Sequence, residues 1–140
     1  MKELEKHHLL TAVNTHAGMS GKNNEDRSSV TAFEVEDRQQ APALLAVLAD
    51  GIGGHRAGEI AAEMVVKRIP QIIAQSSTSD PTRTLIEAMH LASREIYEES
   101  RTNPRMHGMG ATCALAWIIG NNLYTATVGD SRIYLIRDRT

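Results

Sequence analysis

The stretch from Leu44 to Glu59, LLAVLADGIGGHRAGE, runs apolar up to Asp50, turns through Gly51, Gly53 and Gly54, and then opens into a helix-like pattern. A carboxylate at the end of a buried strand and directly before glycine has two readings: a turn residue with capping duties, or a metal ligand with the Gly51 carbonyl beside it. Phosphate binding by these glycines is excluded. A GxGxxG loop starting at Gly51 needs glycine where Arg56 stands, and a Walker loop needs a Lys followed by Ser or Thr, which follows neither Gly54 nor Gly58. Glu25 and Asp26 in NNED, and Asp130 in GDSR, share the situation of Asp50, a polar turn beside a strand. Each alone is ordinary turn chemistry. Strand ends of a sandwich converge at its edges, however, so acids remote in sequence can meet there, and clustered carboxylates repel unless a cation sits among them. An oxygen-only set without Cys suits a hard ion, Mg²⁺ or Mn²⁺. His55 beside the glycines is either a solvated side chain or a general acid, and His7, His8, His16, His90 and His107 show no metal-ligand spacing.

The elements that must position these acids follow from periodicity. HLLTAVNTHAG, ending at Gly18, and RSSVTAFEVE, from Arg27, predict a first and a second strand, with GMSGKNNED as the polar turn between them. ALLAVLA, from Ala43, is apolar on both faces, as in a strand covered on both sides. From Ala57 the period changes: Ile60, Ala61, Met64, Val65, Ile69, Ile72 and Ile73 recur at three and four, an amphipathic helix that Pro70 should kink or end early. Asp80 as N-cap and Pro81 at the first helical position start a second helix, lined by Leu85, Met89, Ala92 and Ile96 and fading near Pro104. ATCALAWIIGNNLYTATVGDSRIYLIRD then predicts a three-stranded meander, with RIYLI as its last strand. Strands, two consecutive helices and strands again describe an α+β domain, an antiparallel β-sandwich flanked by helices in αββα layers.

At 140 residues, with 41% hydrophobic content, the chain has the size of one domain or part of one. A formal charge of −2 gives no basic stripe, which argues against nucleic acid as a partner. The single Cys113 has no partner for an internal disulfide and reads as a small buried apolar residue, as suits a reducing compartment. No stretch approaches the roughly 20 apolar residues of a membrane span, and MKELEKHH has no apolar signal core, so a cytoplasmic location is expected.

Taken in order, NNED (Asn23–Asp26), ADGIGGHRAGEIAA (Ala49–Ala62), GMGATCALA (Gly108–Ala116) and VGDSRIYLIRD (Val128–Asp138) resemble the metal-dependent PPM family, the type 2C protein serine/threonine phosphatases, in its bacterial branch. The resemblance covers nearly the whole of residues 1–140 and implies the N-terminal portion of such a domain, its sheets incomplete at the C-terminus. It implies hydrolysis of phosphoserine and phosphothreonine in partner proteins, in bacteria often the targets of a Ser/Thr kinase, by a water acidified between two Mn²⁺ or Mg²⁺ ions. Asp50 would bridge the two ions, the Gly51 carbonyl would bind one of them, and Glu25 and Asp26 would hold the centre directly or through waters. Asp130 would match the ligand of a third, weaker ion. Two positions depart from the family pattern: Gly21 stands where an Arg usually holds the substrate phosphate, leaving Lys22 or Arg27 as stand-ins, and His16 stands where Asp is common. The alternative is a non-catalytic regulatory or binding module of the same fold.

Overall fold

The computed structural model describes residues 1–35, 41–54, 56–76 and 79–138. Its elements are β1 (Lys2–Leu4), β2 (Asp26–Val35), β3 (Ala41–Ile52), α1 (Ala57–Ala74), α2 (Pro81–Thr102), β4 (Gly110–Ala111), β5 (Cys113–Ile119) and β6 (Asn122–Val128). The strands form one antiparallel sheet in the order β1-β2-β3-β5-β6, with β4 paired to the end of β3. Both helices lie on one face of it. The architecture is α+β, as expected, with a helix layer over one antiparallel sheet; the described residues do not build the second sheet of a sandwich.

Strand parity divides the sheet into two chemically different faces. Toward the helices point Phe33 and Val35 of β2, Ala43, Leu45, Val47 and Ala49 of β3, and Leu115, Trp117 and Ile119 of β5, all buried against Ala61, Val65, Ile69 and Ile73 of α1. α2 adds Leu85, Ala88, Ala92 and Ile96 to the same core. The opposite parity of β2 and β3 carries Asp26, Ser28, Val30, Leu44, Ala46, Leu48 and Asp50. Segments around Thr11–Asn14 and Arg132–Ile133 run along that face, yet Leu48 stays 46% exposed.

α1 begins where the chain leaves β3 and runs past Pro70 to Ala74 without ending early. The reason lies in the sheet. Proline at position 70 cannot donate to the Val66 carbonyl four residues back, and the Ser29 hydroxyl of β2 donates to that oxygen instead, at 3.0 Å. α2 follows its sequence signals closely: the Asp80 side chain accepts from the Arg83 N–H at 3.1 Å, Pro81 occupies the first turn, and Asn103 is the C-cap. An Arg68–Glu95 ion pair, at 2.6 and 2.7 Å, ties the two helices together.

Two expected strands are not strands. Residues 8–18 form no ladder and lie exposed, because Leu9–Leu10 and Ala12–Val13 place apolar residues side by side and never alternate; the first strand is Lys2–Leu4, paired to β2. RIYLI, residues 132–136, likewise forms no ladder, and Tyr134, Leu135 and Ile136 are exposed. Its strand-like composition has no neighbour to pair with among the described residues. The β5–β6 hairpin over Gly120 and Asn121 is as expected.

Trp117, the largest fully buried side chain, holds its indole N–H without a hydrogen-bond partner among the described residues. Substituting Trp117→Ala should cost about 3–5 kcal/mol in urea unfolding, and Trp117→Phe clearly less, since it also removes an unsatisfied donor. Burial pushes the Cys113 thiol up to about 11. At pH 8 the native thiol should therefore react with a disulfide reagent orders of magnitude more slowly than the urea-unfolded chain, followed as released thiolate absorbance.

Candidate metal centre

Asp50 and Asp26 face one another across the β2–β3 ladder as direct cross-strand partners. Like charges so placed destabilise a sheet, and their even parity puts both on the face away from the helices. Asp130 follows β6 at the same end of the sheet, and Glu25 precedes β2. All three act on Asp50: its carboxyl is pushed above the ordinary carboxylate range, first by desolvation, then by the charges of Asp26 and Asp130, a carboxyl hydrogen bond to Asp26, and the charge of Glu25. Four acids at one sheet end, with no basic side chain among the causes of that shift, form a donor set whose chemistry fits a hard divalent cation. Among the described residues, no three carboxylate, His or Cys side chains converge as a ready-made cage.

The backbone around Asp50 is held tightly. Its N–H donates to the Thr112 hydroxyl at 3.0 Å, and its carbonyl accepts from the Thr112 N–H at 2.9 Å. Thr112 is 4% exposed and its hydroxyl also lies 2.6 Å from that of Ser131, the residue after Asp130. One threonine thus fixes the main chain of Asp50 and the segment carrying Asp130. Sequence reasoning missed it, and the only signal was a polar residue in the otherwise apolar ATCALAWII.

The glycines serve close approach rather than phosphate binding. A Cβ on Gly51 would sit 2.1 Å from the Gly58 carbonyl oxygen, and one on Gly58 would sit 2.9 Å from the Glu25 carboxyl carbon. The first turn of α1 is therefore pressed against both β3 and Glu25. That contact brings the Glu25 carboxylate to a helix N-terminus, where the dipole favours negative charge. The Glu25 carbonyl in turn accepts from the Gly51 N–H at 3.3 Å.

The expected substrate-binding residues fare differently. Arg27 does not lie on the carboxylate face. Its odd parity turns it toward the helices, where its guanidinium meets Glu59 at 2.5 Å and Glu63 at 3.3 Å. Lys22 lies exposed on the loop before β2, as does Gly21, whose φ of 73° is one that an arginine adopts only under strain. His55 lies outside the described residues.

Two consequences can be measured. A carboxyl whose folded pKa is raised binds its proton more tightly in the native state, so the stability linked to Asp50 is full at low pH and falls as pH rises through its folded pKa. Asp50→Asn should therefore stabilise the metal-free protein more at pH 7 than at pH 4, by up to about 1 kcal/mol in denaturant unfolding, through relief of the cross-strand repulsion. Gly51→Ala, which must displace the backbone of α1 at Gly58, should cost more than about 2 kcal/mol in denaturant unfolding.

Comparison with known proteins finds relatives over most of this chain. Residues 15–140 match the family model described as protein phosphatase 2C. The serine/threonine protein phosphatase PstP of Mycobacterium tuberculosis is 36% identical over 113 residues, 81% of this chain and 22% of that protein. The serine/threonine phosphatase stp of Listeria monocytogenes is 32% identical over 128 residues, 89% of this chain and 48% of that protein. This chain thus spans less than half the length of either relative. Among solved structures, a bacterial serine phosphatase bearing an arginine mutation superposes with a TM-score of 0.78 at 28% identity, covering 91% of this chain and 56% of that one. The catalytic domain of PstP in complex with two manganese ions gives a TM-score of 0.64 at 29% identity, covering 82% and 53%. By its motifs, its fold and these matches, the chain belongs to the protein phosphatase 2C family.

Proposed function

We propose that residues 1–140 are the N-terminal portion of a protein serine/threonine phosphatase domain, and that Glu25, Asp26, Asp50, the Gly51 carbonyl and Asp130 are its contribution to a centre for two Mn²⁺ or Mg²⁺ ions, with Asp130 serving a third. The observation that carries this reading is the opposition of Asp26 and Asp50 on the carboxylate face, with Asp130 and Glu25 close enough to act on Asp50. The manganese-bound relative supports the choice of ion. When bound, such ions supply an acidified water and neutralise the phosphoryl oxygens of a substrate.

The chain's own residues set the geometry for that chemistry. Asp50 holds the middle of the acidic group, its main chain pinned through Thr112 so that its carboxylate does not swing with the loop. Glu25, wedged at Gly58, directs negative charge toward the same sheet end. The reaction is a single in-line displacement at phosphorus by water, giving the free hydroxyl of Ser or Thr and inorganic phosphate; no Cys or Ser nucleophile is required. The substrates are phosphorylated proteins, among them those of a bacterial Ser/Thr kinase, and the setting is cytoplasmic. No described helix is long and apolar enough to cross a membrane.

A non-catalytic binding module is the second reading, favoured by Gly21 in place of a phosphate-binding Arg and by the absence of a three-donor cage among the described residues. One assay separates the two. The domain extended to the length of its relatives should hydrolyse a phosphothreonine peptide with Mn²⁺, and Asp50→Ala should lower kcat about 100-fold or more. Activity that survives both EDTA and that substitution would overturn the two-ion mechanism, and no activity with Mn²⁺ bound would favour the binding module.

A further inference from the structure

Arg27 is the residue that the carboxylate face does not use, and its contacts are unusually many. One terminal nitrogen donates to the main-chain carbonyls of Asn24, at 3.1 Å, and Asp26, at 2.7 Å. The other donates to Glu59 at 2.5 Å, and Nε lies 3.3 Å from Glu63. Glu59 and Glu63 are one helical turn apart on α1. Each has a second cation, Arg56 at 3.8 Å for Glu59 and Lys67 at 2.8 Å for Glu63. The Glu63 carboxyl is held below its ordinary range, first by Lys67 and also by Arg27.

From this geometry, and resting on the metal-centre reading above, we propose that Arg27 is a positioning residue: it clamps the Asn24–Asp26 backbone to the first two turns of α1 and so sets Glu25 and Asp26 for a divalent cation. The planar fork suits the task. It reaches two carbonyls of the acidic segment and two carboxylates of the helix at once, which an ammonium does not reproduce. The clamp also fixes register. A slip of β2 by one residue would send Arg27 to the carboxylate face and Asp26 into the helix layer, so Glu59 and Glu63 select the register that opposes Asp26 to Asp50. The same pull seats Glu25 at Gly58, where no side chain intervenes.

The test compares two ion pairs of α1. Arg27→Ala and Arg27→Lys remove or weaken the clamp, whereas Arg68→Ala removes the bidentate pair to Glu95 that joins α1 to α2 and touches none of the acids. Mn²⁺ binding to the domain extended to the length of its relatives, followed by loss of the free-ion EPR signal, should weaken about tenfold in Arg27→Ala, less in Arg27→Lys, and not at all in Arg68→Ala. Without metal, hydrogen exchange at the Gly51 amide, which donates to the Glu25 carbonyl, should speed up in Arg27→Ala and stay unchanged in Arg68→Ala. Wild-type affinity and exchange in Arg27→Ala, or an equal loss in Arg68→Ala, overturns the clamp. If the wild-type extended domain binds no Mn²⁺, the metal-centre reading fails, and the metal-free exchange comparison still decides whether Arg27 holds the segment.

Discussion

Two carboxylates held face to face across a β-ladder are the constraint around which this chain is arranged. Asp26 and Asp50 are the end pair of ten consecutive rungs that run to Val35 and Ala41. Left to themselves, two such charges would splay the strand ends apart. What opposes that tendency is mostly apolar: Phe33, Leu45, Val47 and Ile69 bury the other side of the same strands, and the hydrophobic gain from such side chains, about 1.5–3 kcal/mol each, exceeds the repulsion of one like-charge pair. The acidic end is thus kept in place mostly by apolar packing on the opposite face of the same strands, and α1 reaches it only at its first turns, through Gly58 and the Arg27 contacts.

The two faces of β2 divide this work residue by residue. Asp26 and Ser28 point away from the helices; Arg27 and Ser29 point toward them, the first to Glu59 and Glu63 and the second to the Val66 carbonyl. Ser29 also allows α1 to continue through Pro70, so the helix that covers the strands is long enough to reach Ile73 and the end of the core. Polar contacts between α1 and β2 are few and specific, while the bulk of the contact is close packing of Ala and branched side chains. Such a layer transmits position well, because a shift of α1 would have to move Gly58 relative to both Gly51 and Glu25.

Much of this was legible in the residues. The helix periods at 57–74 and 81–102, the Asp80–Pro81 start and the apolar strand ending in Asp50 all stand in the structure, because each is set by local pattern. The misreadings have a common cause: residues 8–18, RIYLI and Pro70 depend on a partner remote in sequence. A strand needs a neighbour to pair with, and a proline in a helix is tolerable when something distant satisfies the freed carbonyl. For the same reason Arg27 looked like a phosphate ligand in sequence, being next to the acids, whereas alternation sends consecutive residues to opposite faces. Thr112 was invisible because a threonine in a strand-like run carries no mark of a hydroxyl that bridges a strand end and a turn.

The ten rungs of the β2–β3 pair have an order in which they can close. The connection between the strands lies at the Val35–Ala41 end, so the rungs nearest it need the shortest loop and form first, and pairing then zips away from the connection. Asp26 and Asp50 close last, after Phe33, Leu45 and Val47 have already met. The repulsive pair is therefore met by a hairpin already committed to its register. The charge at that end therefore acts on the closing of the last rung, after the apolar rungs have already chosen the register.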